Sequence, residues 1–143
     1  MIKKIKVFFQ DIKFEHSLFA LPFAFLGLIL AERGMPSLFL WVWITVAMVS
    51  FRTFAMGLNR FLDASVDAMN PRTAARAIPS GQLSKRWVGV ILIVSALIFE
   101  FSAFKLGPLC FLLSPVPFIL AAVYPLMKRF SYLSHFVLGS VLA

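Results

Sequence analysis

The sequence predicts an all-α fold, a polytopic bundle of transmembrane helices, and three observations carry that prediction. First, 61% of the 143 residues are hydrophobic and only 14% are charged, with a mean hydropathy of +0.92. Soluble domains run at about 45–50% apolar and about 25% charged. Second, several runs approach the length of about 20 apolar residues that crosses a bilayer. Third, eleven of the fourteen Lys and Arg fall in alternate connections between those runs, the bias that orients membrane helices with basic loops inside.

The elements follow in order. "MIKKIKVFFQDIKFEH" is basic and lacks both a long apolar core and a small-residue cleavage site, so it does not read as a removable signal peptide. A first span covers 14–31, with Glu15 and His16 at its first turn and Pro22 as a possible kink. "ERGMP" turns the chain, and Pro36 suits the opening of the next helix. The second span starts near Ser37 and holds Arg52 inside its apolar stretch. No breaker follows Leu58, so the helix is expected to run on through "NRFLDASVDAM" and stop before Asn70-Pro71. Such a helix outruns a hydrocarbon core of about 30 Å, and its last turns project into the interface.

Residues 70–85 read as a loop punctuated by Pro71, Pro79 and Gly81. A third span runs over 87–104, with Glu100 near its far end, and "KLGP" turns the chain into a fourth over 108–127. Lys128 and Arg129 close it, and "YLSHFVLGSVLA" begins a fifth. The expectation is four full spans plus part of a fifth. The N-terminus, the 70–85 loop and the loop after span four share one side, facing the cytoplasm or the matrix of an organelle.

A net charge of +8 raises nucleic acid as a partner, but the basic residues lie between apolar spans and form no soluble face. Cys110 is the single cysteine, so no disulfide within the chain is possible. His16 and His135 are far apart and lack Cys partners, so they make no zinc site. The Phe and Trp stripes read as packing or lipid-facing, with Trp41 and Trp43 suited to an interfacial belt. Tyr124 suits a belt or a cavity wall equally.

The chemistry concentrates at the end of the second span. Asn59, Asp63 and Asp67 recur every four residues, so they occupy about 80° of one helical face, and Arg52 lies within about 20° of it. Ionisable residues at membrane depth are costly and face an interior. Two carboxylates and an amide one turn apart repel each other when empty and become favourable around a hard divalent cation with oxygen ligands, such as Mg²⁺, which bridges carboxylates to substrate phosphates. Arg72, Arg76 and Lys85 could then bind phosphate oxygens. The spacing alone leaves a second reading open, in which the stripe is a solvated helix end and the basic loop only sets topology or meets anionic lipid.

The motif "NRFLDASVDAMNPRTAARAIPSG" resembles the first Asp-rich signature, N-x-x-x-D-x-x-x-D, and the following loop of the UbiA-type polyprenyltransferase superfamily, in its 4-hydroxybenzoate branch. "DIKFEHSLFALPFAFLG" and "YPLMKRFSYLSHFVLG" resemble that branch's first span and its connection between spans four and five. The resemblance implies a bundle of about nine helices, each satisfying its own backbone in lipid, around a lipid-open cavity. It implies Mg²⁺-dependent transfer of a polyprenyl chain from polyprenyl diphosphate onto the ring of a 4-hydroxybenzoate-like acid, in quinone biosynthesis. By the family pattern Asn59, Asp63 and Asp67 hold diphosphate through Mg²⁺, and Arg72 and Arg76 belong to the loop that closes over it. Lys128 and Arg129 match a basic pair of a later loop, and Lys13 matches a basic position of the first span. Arg52 is a candidate partner for the acceptor's carboxylate. The implied setting is a bacterial inner membrane, or the mitochondrial inner membrane in a eukaryote, with the N-terminus cytoplasmic.

The family carries a second Asp-rich motif, and this chain has no acidic residue after Glu100. Residues 1–143 are therefore expected to be the N-terminal part of one prenyltransferase domain and to be inactive alone. Two alternatives stand beside this reading: the same scaffold with another acceptor (a naphthoate, haem or a lipid alcohol), and a non-enzymatic membrane transporter or scaffold. The spaced aspartates of CDP-alcohol phosphotransferases require an Asp-Gly then Ala-Arg lead-in that is absent here.

Overall fold

The computed structural model describes residues 2–127. Within them six helices follow one another: α1 Ile2–Asp11, α2 His16–Glu32, α3 Leu38–Met69, α4 Lys85–Leu106, α5 Pro108–Leu113 and α6 Pro115–Met127. Lys128, Arg129, His135 and the expected fifth span lie outside the described residues. Among the described residues, three segments are long and apolar enough to cross a membrane: Leu38–Met69, Lys85–Leu106 and Pro108–Pro125. Phe19–Glu32 is a shorter apolar helix. The first expected span is a helix of 17 residues, about 25 Å long, at the short end of the lengths that cross a bilayer.

Helix α3 is the axis of the fold. Its 32 residues extend about 48 Å, and it packs against α2, α4 and α6. It ends where the sequence places its end. Asn70 is extended (φ −103°, ψ 117°), as the residue before Pro71 must be. Gly57 allows α3 to approach its neighbours: a Cβ there would lie 2.7 Å from Leu92 Cδ2 and 3.2 Å from Phe8 Cζ. Hydroxyls within the spans bond back to their own helix, Thr45 to the Trp41 carbonyl (2.7 Å), Thr53 to that of Val49 (2.8 Å) and Ser102 to that of Ile98 (2.7 Å). This satisfies them where lipid offers no partner.

Two features depart from the sequence reading. The basic N-terminal segment, in which the sequence indicates no span, forms α1. Its Phe8 and the following Ile12 are each 2% exposed and pack with Ala77, Leu83, Val88 and Leu92 as the principal buried cluster, while Lys3, Lys4 and Lys6 stay exposed. The fourth span is divided at Ser114, before Pro115, into α5 and α6. Proline supplies no N–H to continue the ladder. Ser114 Oγ lies 2.8 Å from the Phe111 carbonyl and 2.7 Å from Glu100 Oε2, which ties the break to α4.

Rings fill the interior between α3, α4 and α6. Phe51, Phe54, Phe99 and Phe118 meet at centroid distances of 4.8–6.0 Å, largely edge to face. Trp41 packs on Phe25 and Trp43 on Phe101, so both tryptophans pack against neighbouring helices.

Candidate functional site: the acidic face of α3 and the segment after it

The last turns of α3 carry the stripe. Asp63 is 4% exposed and Asp67 7%, while Asn59 and Arg52 are half-buried. All four share one helical face by their spacing. Carboxylates this deeply buried need compensation. Asp67 Oδ2 lies 2.6 Å from Arg76 Nη1, an ion pair with 10% and 30% of the two side chains exposed.

Arg76 reaches Asp67 because of how residues 70–84 fold. Asn70 Oδ1 accepts the Arg72 N–H at 3.0 Å, an Asx turn of the kind asparagine favours. The Asn70 carbonyl accepts from Thr73 and Ala74, both at 2.9 Å. Thr73 Oγ1 donates to the Asp67 carbonyl at 3.1 Å, closing the end of α3. The Arg76 N–H donates to Thr73 O, Ser80 N–H to Arg76 O and Leu83 N–H to Ala77 O, at 3.0, 3.0 and 2.9 Å. The segment is a chain of tight turns, capped by Ser84 Oγ, which accepts the Trp87 N–H and starts α4.

The expected site residues are brought together in part. Asn59, Asp63 and Asp67 share one face of the last turns of α3 by their spacing, and Arg76 meets Asp67 there. Arg72 lies four residues upstream of Arg76 and is exposed. Arg52 sits about 10 Å below Asn59 along the helix, and its Nε is buried with no hydrogen-bond partner among the described residues. Lys13 immediately precedes the expected first span. It lies in the turn between α1 and α2 and is exposed with a left-handed backbone (φ 50°). Ile12 is drawn into the core beneath α1, and the chain reverses immediately after it.

The sequence reading missed Asp11 and Arg60. The Arg60 Nε and Nη2 donate to the Asp11 carbonyl at 3.3 Å each, and Nε lies 3.7 Å from Asp11 Oδ2. The Ala77 N–H donates to Asp11 Oδ1 at 3.4 Å. The apolar recurrence of Ile5, Phe8, Phe9 and Ile12 was the available signal for a helix that delivers Asp11 here.

No group of three or more His, Cys, Asp or Glu gathers among the described residues. The donor set on α3 is two buried carboxylates and one amide, all oxygen donors on one face. That chemistry fits a hard cation that keeps open positions for water and phosphate oxygens, as Mg²⁺ does.

Long apolar helices, with buried carboxylates on one helix end and an arginine paired to one of them, define a class of membrane-embedded helical protein with a buried acidic face. Residues 20–143 match the UbiA prenyltransferase family, and the chain belongs to that family. It is a multi-pass membrane protein. It is 34% identical over 143 residues to a 4-hydroxybenzoate octaprenyltransferase of Photobacterium profundum, covering 95% of this chain and 48% of that protein. It is 36% identical over 111 residues to the protein of the same name from Serratia proteamaculans, covering 78% of this chain and 38% of that one. Among solved structures, the apo structure of a UbiA homolog from Aeropyrum pernix K1 superposes with a TM-score of 0.83 at 36% identity, over 90% of this chain and 46% of that one. The chain spans about half the length, or less, of the curated relatives it matches.

Proposed function

We propose that this chain carries one side of the diphosphate site of a prenyltransferase that moves a polyprenyl group from its diphosphate to the ring of 4-hydroxybenzoate or a close analogue. The observation that carries this reading is the buried Asp63–Asp67 face with Arg76 folded onto it. Buried carboxylates in an oxygen-donor set suit a metal–phosphate ligand better than the open water of a solvated helix end. The names of the two relatives favour 4-hydroxybenzoate over a naphthoate, haem or a lipid alcohol.

The chemistry follows from charge. Mg²⁺ held by Asp63, Asp67 and Asn59 would neutralise the diphosphate and make it a competent leaving group. Arg76 is paired with Asp67, and its guanidinium would supply a bidentate partner for phosphate oxygens. Arg72, exposed at the start of the segment, approaches the same diphosphate from outside. By the family pattern Lys128 and Arg129, outside the described residues, would add positive charge to the same site, as would Lys13 from the turn before α2. Arg52, two turns deeper, holds the acceptor's carboxylate, which would orient its ring toward the carbon that loses diphosphate. The Phe51, Phe54, Phe99 and Phe118 cluster would form an apolar wall that keeps water from an allylic cation and offers it ring faces. The acceptor ring attacks ortho to its hydroxyl and then releases a proton.

A diphosphate carries charge on two phosphates, and one acidic face grips one side of it. The reading therefore requires further ligands from outside residues 1–143, as in a domain of which these residues are the N-terminal part. We place the domain in a bacterial inner membrane with α1 on the cytoplasmic side, since Lys3, Lys4 and Lys6 are exposed there together with Arg72, Lys85 and Arg86.

The test is prenylation of 4-hydroxybenzoate by membranes holding the native protein. Asp63→Asn is expected to lower turnover by on the order of 10²–10³ with expression retained. Unchanged turnover would remove the carboxylate from the reaction.

A further inference from the structure

Asp11 is the last residue of α1, where the negative end of the helix dipole disfavours a carboxylate. Its contacts outside α1 explain its presence. Arg60, on α3, donates twice to its carbonyl and stands 3.7 Å from its Oδ2, which offsets the charge. Its Oδ1 accepts the Ala77 N–H at 3.4 Å. Ala77 is 4% exposed, so this N–H has little access to water, and a buried donor without an acceptor is costly. The Ala77 carbonyl is also engaged, by the Leu83 N–H at 2.9 Å. Ala77 is thus held at both its backbone groups, and the residue before it is Arg76, whose Nη1 lies 2.6 Å from Asp67 Oδ2.

We propose that Asp11 is a positioning residue for the diphosphate site: its carboxylate, held by Arg60, pins the Ala77 backbone and so keeps Arg76 seated over Asp67. The consequence for substrate rests on the function proposed above; the positioning itself does not. Phe8 and Ile12 dock α1 by apolar contact, and Asp11 turns that docking into control of the 70–84 segment. The role asks for an acceptor oxygen at Oδ1 and a short side chain, which separates it from general surface charge.

Residue-resolved hydrogen exchange on the whole chain in lipid nanodiscs tests it. In Asp11→Ala the Ala77 amide is expected to exchange about tenfold faster, while the amides of α1 and of Val88 stay at their wild-type rates. Asp11→Asn, which keeps an acceptor oxygen, is expected to return the Ala77 rate close to wild type. An unchanged Ala77 rate in Asp11→Ala overturns the inference. A rise shared equally by α1 overturns it too, because Asp11 would then merely anchor the helix. Failure of Asp11→Asn to restore protection overturns the acceptor role. A separate arm adds Mg²⁺ and inorganic pyrophosphate to the wild-type chain. Slower exchange at Arg76 and Ala77 supports the diphosphate reading. No change there counts against that reading and leaves the Asp11 result standing.

Discussion

The two ends of the bundle are built differently. At the end that holds α1, the last turns of α3, residues 70–84 and the start of α4, large side chains disappear into protein: Phe8 and Leu83 are 2% exposed and Val88 0%. At the other end, around the close of α4 and α5, Leu97 is 64% exposed, Phe104 62% and Leu112 74%. Within the described residues no protein covers these side chains. The contrast is that, among the described residues, the large buried side chains gather beside the buried charge. Among the described residues, the buried acids and the Arg76–Asp67 pair lie beside the cluster formed by Phe8, Ile12, Ala77, Leu83, Val88 and Leu92.

The sharpest way to break this contrast is to cut the same side chain at both ends. Phe8→Ala should cost about 3–5 kcal/mol in unfolding experiments in mild detergent, whereas Phe104→Ala should stay within about 0.5 kcal/mol. Equal losses would erase the distinction between the two regions. Next in size, Gly57→Val should cost about 1–3 kcal/mol, because the added Cβ lands on Leu92 and Phe8; the shift in thermal midpoint measures it. Arg76→Ala should weaken binding of Mg²⁺–pyrophosphate by about tenfold, the scale of one charge-assisted contact, as read by calorimetry. The smallest effect belongs to the far end. Ser114→Ala removes the hydroxyl between Glu100 and the Phe111 carbonyl and should cost about 1 kcal/mol, with pyrophosphate binding untouched.

Legibility in the sequence follows the same division. The course of α3 through Leu58 to its stop before Asn70-Pro71 could be read, because a proline ends the helix by local sterics and nothing earlier breaks it. The face of Asn59, Asp63 and Asp67 followed from periodicity alone. The parts that escaped depend on tertiary contact. Helix α1 is short and basic, and its burial exists only because Ala77, Leu83, Val88 and Leu92 come to meet Phe8 and Ile12. The pairing of Arg76 with Asp67, in preference to Arg72, depends on the turns built by Asn70 and Thr73, which composition does not reveal. The break at Ser114 was marked by Pro115 in the sequence, but prolines within spans are tolerated often enough that the residue alone did not demand one.

The central claim is that the acidic face of α3 binds diphosphate through a divalent cation. Calorimetric titration of the chain in nanodiscs with inorganic pyrophosphate, with and without Mg²⁺, tests it directly, comparing wild type with Asp63→Asn. Binding that needs Mg²⁺ and is lost in Asp63→Asn is the expected result. Pyrophosphate binding that ignores both the metal and the substitution would contradict the claim.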